Sequence, residues 1–269
     1  MYPKITIITS TFNCAEALEK TGASIREQDY PSIQWIVADG ASSDGTLEVI
    51  DCNSDIIDSW FSEPDEGIYD AWNKAVKLIE GEWVIFLGAG DLFFGRSVLT
   101  EFWQQVPAGY ESHGAVYGNV QYISADGSPR YISRKPNLNK WEFGRPALPH
   151  HQGVFQNRRL FENGDFDKTY RIAADSKFML KALKQNTFLH VDLIVSKMST
   201  DGVSNTLENV PLANGEIRRL CKELDIEVPR RYQLRSSLKV AAISSFHRIL
   251  PLKAVLLVKA ALDRIRAVK

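Results

Sequence analysis

An apolar run ends in two glycines and a carboxylate in the segment Glu82-Trp83-Val84-Ile85-Phe86-Leu87-Gly88-Ala89-Gly90-Asp91. The apolar residues show no polar alternation, which is typical of a strand covered on both faces. Gly88 and Gly90 allow a ligand to approach the backbone beyond the strand. Because open α/β sheets bind ligands at the carboxyl ends of their strands, we expect Asp91 to face a ligand. The alternative is an aspartate that only opens a turn.

Three other apolar runs precede this one, at residues 5–9, 33–38 and 56–61, and segments of helical length separate the runs. This alternation predicts a parallel sheet with right-handed crossovers and helices on both faces. A polar cluster follows each strand, and the carboxyl ends of parallel strands meet at one edge of a sheet. The clusters are Ser10 to Asn13, Asp39 to Thr46, Glu63 to Gly67, and Asp91.

The pattern changes after Asp91. A strand pattern at residues 115–120 and a hairpin signal at Asp126-Gly127 indicate a mixed, partly antiparallel half. A periodic segment then places Asp175 in or near the first turn of a helix. A further strand and helix follow, at residues 189–195 and 211–224. The predicted fold class is α/β, with a mostly parallel central sheet, helices on both faces and a mixed C-terminal half.

Composition limits the function classes. The chain has 269 residues, 44% of them hydrophobic, which is enough for a substantial core. A net charge of −1 gives no support for nucleic-acid binding. The charge is unevenly placed, however, because residues 230–269 hold ten Lys or Arg and one acid, Asp263. We therefore divide the chain into a domain at residues 1–229, with halves at 1–110 and 111–229, and a basic helical tail at 230–269.

Cysteine usage and the N-terminus indicate the compartment. Cys14, Cys52 and Cys221 form no CxxC pair, which favours a reducing environment over a disulfide scaffold. No signal-peptide pattern precedes the first strand, and no run approaches the roughly 18–20 apolar residues of a spanning helix. We expect a cytoplasmic protein whose amphipathic tail either binds the anionic inner face of the cytoplasmic membrane or packs on protein.

Several common motifs are absent. No G-x-G-x-x-G follows the first strand, and the chain contains no G-x-x-x-x-G-K-[ST]. These absences argue against a dinucleotide-binding Rossmann enzyme and a P-loop NTPase. The lack of a G-x-S-x-G elbow likewise argues against an α/β hydrolase. What remains is a sheet edge lined by carboxylates.

Each of these carboxylates has a functional and a structural interpretation. Asp39 can accept hydrogen bonds from a nucleobase or ribose, or it can cap a turn. Asp44 most simply starts a helix. Asp91 suits Mg²⁺ or Mn²⁺ bridging a diphosphate. Asp175 is either a helix-dipole partner or a catalytic group.

The chain resembles family 2 inverting nucleotide-sugar glycosyltransferases of the GT-A fold, in particular the bacterial exopolysaccharide or colanic-acid-type branch. The resemblance covers roughly residues 4–205. It is carried by Ile7-Ile8-Thr9-Ser10-Thr11-Phe12-Asn13, Trp35-Ile36-Val37-Ala38-Asp39-Gly40-Ala41-Ser42-Ser43-Asp44-Gly45-Thr46, Ser62-Glu63-Pro64-Asp65-Glu66-Gly67-Ile68-Tyr69-Asp70-Ala71-Trp72-Asn73-Lys74-Ala75, Gly88 to Asp91, His151-Gln152 and Asp175.

The resemblance implies roles for these positions. Asp175 would be the general base, and Asp91 would be the metal-contacting member of the family's Asp-x-Asp signature. Gly88 and Gly90 replace the usual first carboxylates, so we expect Mn²⁺ or Mg²⁺ to bind weakly. The acceptor or phosphate side would include His150, His151 and Gln152, although paired histidines in a loop are more often plain polar contacts. The donor side would include Thr9, Thr11, Asn13, Asp39, Gly67, Asn73, Lys74, Gly90 and Asp91.

The implied activity is inverting transfer of a sugar from a nucleotide-sugar donor, with UDP-sugar favoured, to a glycan or polyprenyl-linked acceptor in surface or exopolysaccharide biosynthesis. Two other classes stay open. One is a catalytically lapsed nucleotide-sugar-binding module, which the reduced Asp-x-Asp signature favours. The other is a sugar nucleotidyltransferase, which should carry a Gly-rich basic loop after the first strand, where Ser10 to Asn13 has none.

Overall fold

The computed structural model describes residues 2–124, 127–137, 140–142, 144–162, 164–199, 209–230 and 232. Its first half is the predicted alternation of strands and helices. Four parallel strands stand in the order β3-β2-β1-β4, and a helix follows each of the first three. The strands are β1 (Ile5–Thr11), β2 (Ile33–Asp39), β3 (Ser59–Ser62) and β4 (Trp83–Phe86), and the helices are α1 (Ala15–Arg26), α2 (Thr46–Cys52) and α3 (Ile68–Ala75).

The second half extends the same sheet with mixed direction. Beyond β4 the order is β10-β6-β11-β5, with β7 paired to β6; β10 is antiparallel to both its neighbours, and β11 is parallel to β6. Its elements are β5 (Leu92–Phe93), α4 (Val98–Gln105), β6 (Ala115–Ile123), β7 (Pro129–Ser133), β8 (Trp141–Glu142), β9 (Arg145–Pro146), β10 (Val154–Asn157), α5 (Ala174–Leu183), β11 (Phe188–Ser199) and α6 (Val210–Glu223). Strands β8 and β9 form a separate small sheet.

Helices cover both faces of the central sheet, as predicted. One hydrophobic cluster lies under α3, α5 and α6 and contains Trp72, Phe86 and Phe166. The other lies under α1, α2 and α4 and contains Trp35 and Phe102. Strand β4 contributes to both clusters, which explains why its sequence is apolar without alternation. The α/β fold class is therefore confirmed.

Some predicted boundaries move. Strand β3 begins at Ser59 and not at residue 56, because the backbone N–H groups of Ile56 and Ile57 both donate to the Asn53 carbonyl in a turn. Strands β6 and β7 pair antiparallel around the predicted hairpin, whose Asp126 lies outside the described residues. So does the predicted helical tail, apart from Arg230 and Tyr232. Within the described ranges, no helix is long and apolar enough to cross a membrane.

Candidate active site

The loop after β2 is organised by Asp39, which is almost completely buried. Its Oδ2 accepts hydrogen bonds from the Ser42 N–H at 2.8 Å and the Ser62 hydroxyl at 2.6 Å, and its Oδ1 accepts from the Ser42 hydroxyl. A carboxylate offers about four acceptor positions, and three of those of Asp39 are occupied within the loops. Asp39 therefore fixes the loop, and its contact with the donor stays a prediction.

Asn13 joins the loop after β1 to the loop after β2. It adopts a left-handed backbone conformation with φ of 48°. Its side-chain Oδ1 accepts from the Ser43 N–H at 2.8 Å, and its own N–H donates to the Ser42 hydroxyl at 2.8 Å. Asp44, predicted to start a helix, accepts from the N–H groups of Ala15 at 3.2 Å and Thr46 at 2.9 Å. It thus holds the starts of both α1 and α2.

The two threonines assigned to the donor side are both buried. Thr9 is fully buried, and its hydroxyl accepts from the Trp35 indole N–H at 3.0 Å. This placement gives Thr9 a role in the core, and its contact with the donor stays a prediction. The Thr11 hydroxyl lies 2.9 Å from the Cys14 thiol, at the carboxyl end of β1.

Phe12 is the most exposed large aromatic side chain among the described residues, at 62%. It stands beside Gly40, where an added Cβ would lie 3.3 Å from the Phe12 ring and 2.8 Å from the Asp65 Oδ2. Glycine at position 40 therefore allows the side chains of Phe12 and Asp65 to lie close to the loop after β2. The sequence motif contained Phe12 but gave it no role, and the signal was an aromatic residue inside a polar loop.

The loop after β3 and helix α3 carry three further predicted donor residues. Gly67 has φ of 113° and precedes α3. The Lys74 ammonium pairs with Glu63 at 2.8 Å and Asp70 at 3.2 Å, and the Glu63 carboxylate raises its pKa. Donor contacts by Gly67 and Lys74 stay predictions.

Asn73 joins α3 to the segment that precedes α5. Its side-chain amide donates to the Phe166 carbonyl and accepts from the Phe166 N–H, both at 2.8 Å. Residues 73 and 166 lie 93 positions apart, so the sequence pattern gave no indication of this contact. The side chain acts as a clamp between the halves, and its contact with the donor stays a prediction.

The Gly88 to Asp91 loop is held against α1. The Gly90 N–H donates to the Thr21 hydroxyl at 2.9 Å, and Gly90 has φ of 95°, where a side chain would be strained. The Asp91 Oδ2 accepts from the Gly88 N–H at 3.2 Å. Burial raises the pKa of the Asp91 carboxyl to about 7, while hydrogen bonds from the Gly88 N–H and the Gln152 side chain act in the opposite direction.

These residues fit a weakly held divalent cation. In the described part of the chain, no group of three or more His, Cys, Asp or Glu side chains could hold a metal on its own. Mg²⁺, however, is commonly held by one or two carboxylates together with substrate phosphates. Asp91 is such a carboxylate. A cation bound beside it would favour the ionised form, whereas burial favours the protonated form.

A short turn at residues 150–153 lies near both Asp91 and Asp175. The turn begins at His150 and continues into a single 3₁₀ turn, His151–Gly153. The His150 Nδ1 lies 2.6 Å from the Tyr122 hydroxyl on β6. Burial and, to a smaller extent, Arg145 lower the pKa of His150 to about 4, against the opposing influence of Asp175. His150 is therefore neutral at physiological pH.

Asp175 lies in the first turn of α5, as predicted, with a quarter of its side chain exposed. Its Oδ2 lies 4.0 Å from the His151 Nδ1, and its Oδ1 is 3.3 Å from the Tyr69 hydroxyl. His151 is buried between aromatic rings, with its ring centroid 5.0 Å from those of Trp72 and Phe86. This burial gives His151 a place in the core, and its position on the acceptor or phosphate side stays a prediction.

Glu216 on α6 positions the segment before Asp175. Its buried carboxylate accepts from three consecutive backbone N–H groups, those of Arg171 at 2.6 Å, Ile172 at 2.9 Å and Ala173 at 2.9 Å. The Ile172 carbonyl in turn accepts from the Tyr69 hydroxyl at 2.7 Å. The sequence gave no signal for Glu216, because its partners lie more than 40 residues away.

Comparisons with known proteins agree with this arrangement. The model of Glycosyl transferase family 2 matches residues 6–163. A PGL/p-HBAD biosynthesis glycosyltransferase of Mycobacterium bovis BCG is 29% identical over 221 residues, covering 76% of this chain and 80% of its own.

Two solved structures share the fold. A mannosyltransferase from Pyrobaculum calidifontis in complex with GDP-Man and Mn²⁺ superposes with a TM-score of 0.63 at 20% identity, over 100% of this chain and 84% of that one. S. aureus TarS 1-349 in complex with UDP gives 0.61 at 16% identity, over 98% and 81%. The sheet with its carboxylate-lined edge is therefore the GT-A fold. The chain belongs to glycosyl transferase family 2.

Proposed function

We propose that this protein is an inverting glycosyltransferase that moves a sugar from a nucleotide-sugar donor, with UDP-sugar favoured, to a hydroxyl of a glycan or polyprenyl-linked acceptor in bacterial surface or exopolysaccharide biosynthesis. One observation carries the proposal. The turn at residues 150–153 brings Gln152 near Asp91 and the His151 Nδ1 to 4.0 Å from the Asp175 Oδ2. Asp91, suited to a diphosphate-bound cation, and Asp175, suited to a base, thus both lie near one short turn.

The donor side of the proposal rests on the first two loops. The exposed Phe12 ring beside Gly40 provides a stacking surface for a nucleobase, and the loop that Asp39 holds would contact the base or ribose. Asp91 would hold Mn²⁺ or Mg²⁺ together with the donor phosphates, and the cation would offset the negative charge that develops on the leaving diphosphate. Two solved structures of the same fold support a nucleotide-sugar donor with a cation. TarS is known with UDP, and the mannosyltransferase with GDP-Man and Mn²⁺.

Asp175 is the proposed general base. Its carboxylate removes the proton of the acceptor hydroxyl while that oxygen forms a bond to the anomeric carbon. The bond from the anomeric carbon to the diphosphate oxygen breaks on the opposite face, so the anomeric configuration inverts. The partial exposure of Asp175 leaves it within reach of an acceptor, and the Tyr69 hydroxyl and Glu216-held segment fix its position.

The acceptor and the cellular setting follow from the tail and from relatives. One relative is named for PGL/p-HBAD biosynthesis, which supports an acceptor of glycolipid type. The basic tail at residues 230–269, with its interleaved apolar residues, suits the anionic inner face of the cytoplasmic membrane. We propose that residues 1–229 form the transferase domain and that the tail brings it to a lipid-linked acceptor.

Nucleotide binding tests the proposal. UDP, GDP, dTDP and CDP should be compared by calorimetry and thermal shift, with and without Mn²⁺, on the wild type and on Asp91→Ala. We expect one nucleotide to stabilise the wild type more strongly with Mn²⁺, and Asp91→Ala to abolish the effect of the metal. Stabilisation by none of the four would contradict the proposal. Binding without sugar transfer would favour the lapsed module, which the single carboxylate of the Gly88 to Asp91 loop makes the main alternative.

A further inference from the structure

His151 is a buried titratable group that the proposed reaction does not use. It is 6% exposed, and its Nδ1 has no hydrogen-bond partner among the described residues. A buried polar atom without a partner is uncommon, since it loses water without compensation. The nearest charged group is Asp175, whose Oδ2 lies 4.0 Å away. This distance is longer than a hydrogen bond, but catalytic contacts often tighten only when substrate binds.

The other ring nitrogen indicates which tautomer is present. The His151 Nε2 lies 3.4 Å from the Nε2 of Gln156, the amide nitrogen, which can only donate. With the Gln156 amide in this orientation, the His151 Nε2 accepts and the proton of the neutral imidazole is on Nδ1. The charged group nearest to that N–H is Asp175, at 4.0 Å.

The surroundings of the ring indicate whether His151 donates a hydrogen bond to Asp175 or takes up a proton. Burial lowers the pKa of His151, and the opposing influence of Asp175 is smaller. A relay would require His151 to become a cation between the aromatic rings of Trp72 and Phe86. Burial disfavours that cation, so the ring is suited to donate a hydrogen bond and not to take the proton.

We propose that His151 is a positioning residue for Asp175: its Nδ1–H binds the Asp175 Oδ2 in the reacting complex and leaves the other carboxylate oxygen to remove the acceptor proton. This inference rests on the proposed role of Asp175 as the base. In this role His151 acts through Asp175 and not through a contact with donor or acceptor. Its effect is therefore on the catalytic step and not on substrate binding.

The competing explanation is that His151 only fills space. Two variants separate the explanations, because they divide the properties of the ring. His151→Phe keeps an aromatic ring against Trp72 but has no N–H. His151→Asn loses the ring but can place an amide N–H near the position of Nδ1. A packing role predicts that activity follows stability, so that the phenylalanine variant is the more active one. The positioning role predicts the opposite order.

The experiment measures kcat, KM for donor and acceptor, and melting temperature for the wild type and both variants, with Asp175→Asn as reference. We expect kcat of His151→Phe to fall about 10- to 100-fold, as for a lost hydrogen bond to a charged group, with KM unchanged. His151→Asn should melt lower yet keep more of kcat. Wild-type kcat in His151→Phe, or activities in the order of the melting temperatures, would overturn the inference.

A spectroscopic measurement is independent of activity. In ¹⁵N spectra at neutral pH, we expect His151 to be the Nδ1–H tautomer and its Nδ1 shift to change in Asp175→Asn. The Nε2–H tautomer would overturn the inference even if Asp175 is the base. If instead Asp175→Asn turned over like the wild type, the assignment of the base would fail, and the positioning role with it.

Discussion

The two halves of the molecule hold their carboxylates in different ways. In residues 1–110, each candidate carboxylate has a partner within three residues: Asp39 has Ser42, Asp44 has Thr46 and Asp91 has Gly88. Asp39 also accepts from Ser62, and Asp44 from Ala15, so that neighbouring loops are joined as well. In residues 111–229, the segment before Asp175 is held by Glu216, more than 40 residues away, and Asp175 itself contacts Tyr69, 106 residues away. The donor-side carboxylates thus combine local bonds with bonds between neighbouring loops, whereas the base depends on contacts of longer range.

The two kinds of contact should respond differently to mutation. A local loop can lose one hydrogen bond and still be held by its neighbours. Asp175 depends on packing between α3, α5 and α6, so damage far from it can displace the base. The following variants are chosen to test that contrast.

The largest effect should come from Asp175→Asn. The amide cannot remove a proton, and loss of a general base typically lowers the rate by about 10²- to 10⁴-fold. The side chain keeps its size, so nucleotide affinity and melting temperature should stay near those of the wild type. Initial rates at saturating donor and acceptor measure the effect. Near-normal turnover in a folded protein would remove Asp175 from the mechanism.

Glu216→Gln should come next. The variant retains only one carbonyl oxygen for the three N–H groups of residues 171–173, and we expect unfolding to become easier by about 1–3 kcal/mol. Because this segment positions Asp175, kcat should fall while the nucleotide Kd is unchanged. Urea denaturation and steady-state kinetics measure both. The matched control is Glu19→Gln, an exposed carboxylate on α1. A loss of kcat no greater than that of the control would count against a long-range anchor.

Phe12→Ala should weaken nucleotide binding by about 1–3 kcal/mol, the usual contribution of one stacked base. The melting temperature should change little, because the ring is 62% exposed. Calorimetry with the preferred nucleotide measures the change in Kd. Trp60→Ala removes another exposed aromatic, 51% exposed on β3, and should leave the Kd unaltered. Equal losses in the two variants would indicate a general effect of surface aromatics and no base site at Phe12.

Asp44→Ala should have the smallest effect. Its carboxylate accepts from the first N–H groups of α1 and α2, and loss of these exposed contacts should lower the melting temperature only slightly. The nearby bonds of Asn13 should keep the loops in place, so kcat should not change. Thermal denaturation and initial rates are sufficient to measure this. A large loss of kcat would show that the bonds of Asn13 do not keep the donor loops in place, and it would contradict the contrast between the two halves.

The same contrast explains how much of the structure could be predicted. The strands β1, β2 and β4 and the loops after them follow from short-range patterns, and the first-turn position of Asp175 follows from the periodicity of α5. The antiparallel β10 between β4 and β6 could not be predicted, because four residues give no pairing signal. Side-chain directions also escaped prediction. Thr9 turns into the core because the indole of Trp35, on the neighbouring strand, supplies its partner.

The central claim is that both halves serve one inverting transfer, and the stereochemistry of the product tests it most directly. A panel of nucleotide sugars of known anomeric configuration should be offered with a lipid-linked acceptor, and the new linkage analysed by NMR. We predict consumption of one donor, with the product linkage opposite in configuration to the donor. Transfer with retained configuration would contradict the account, because Asp175 would then not act as the base in a single displacement.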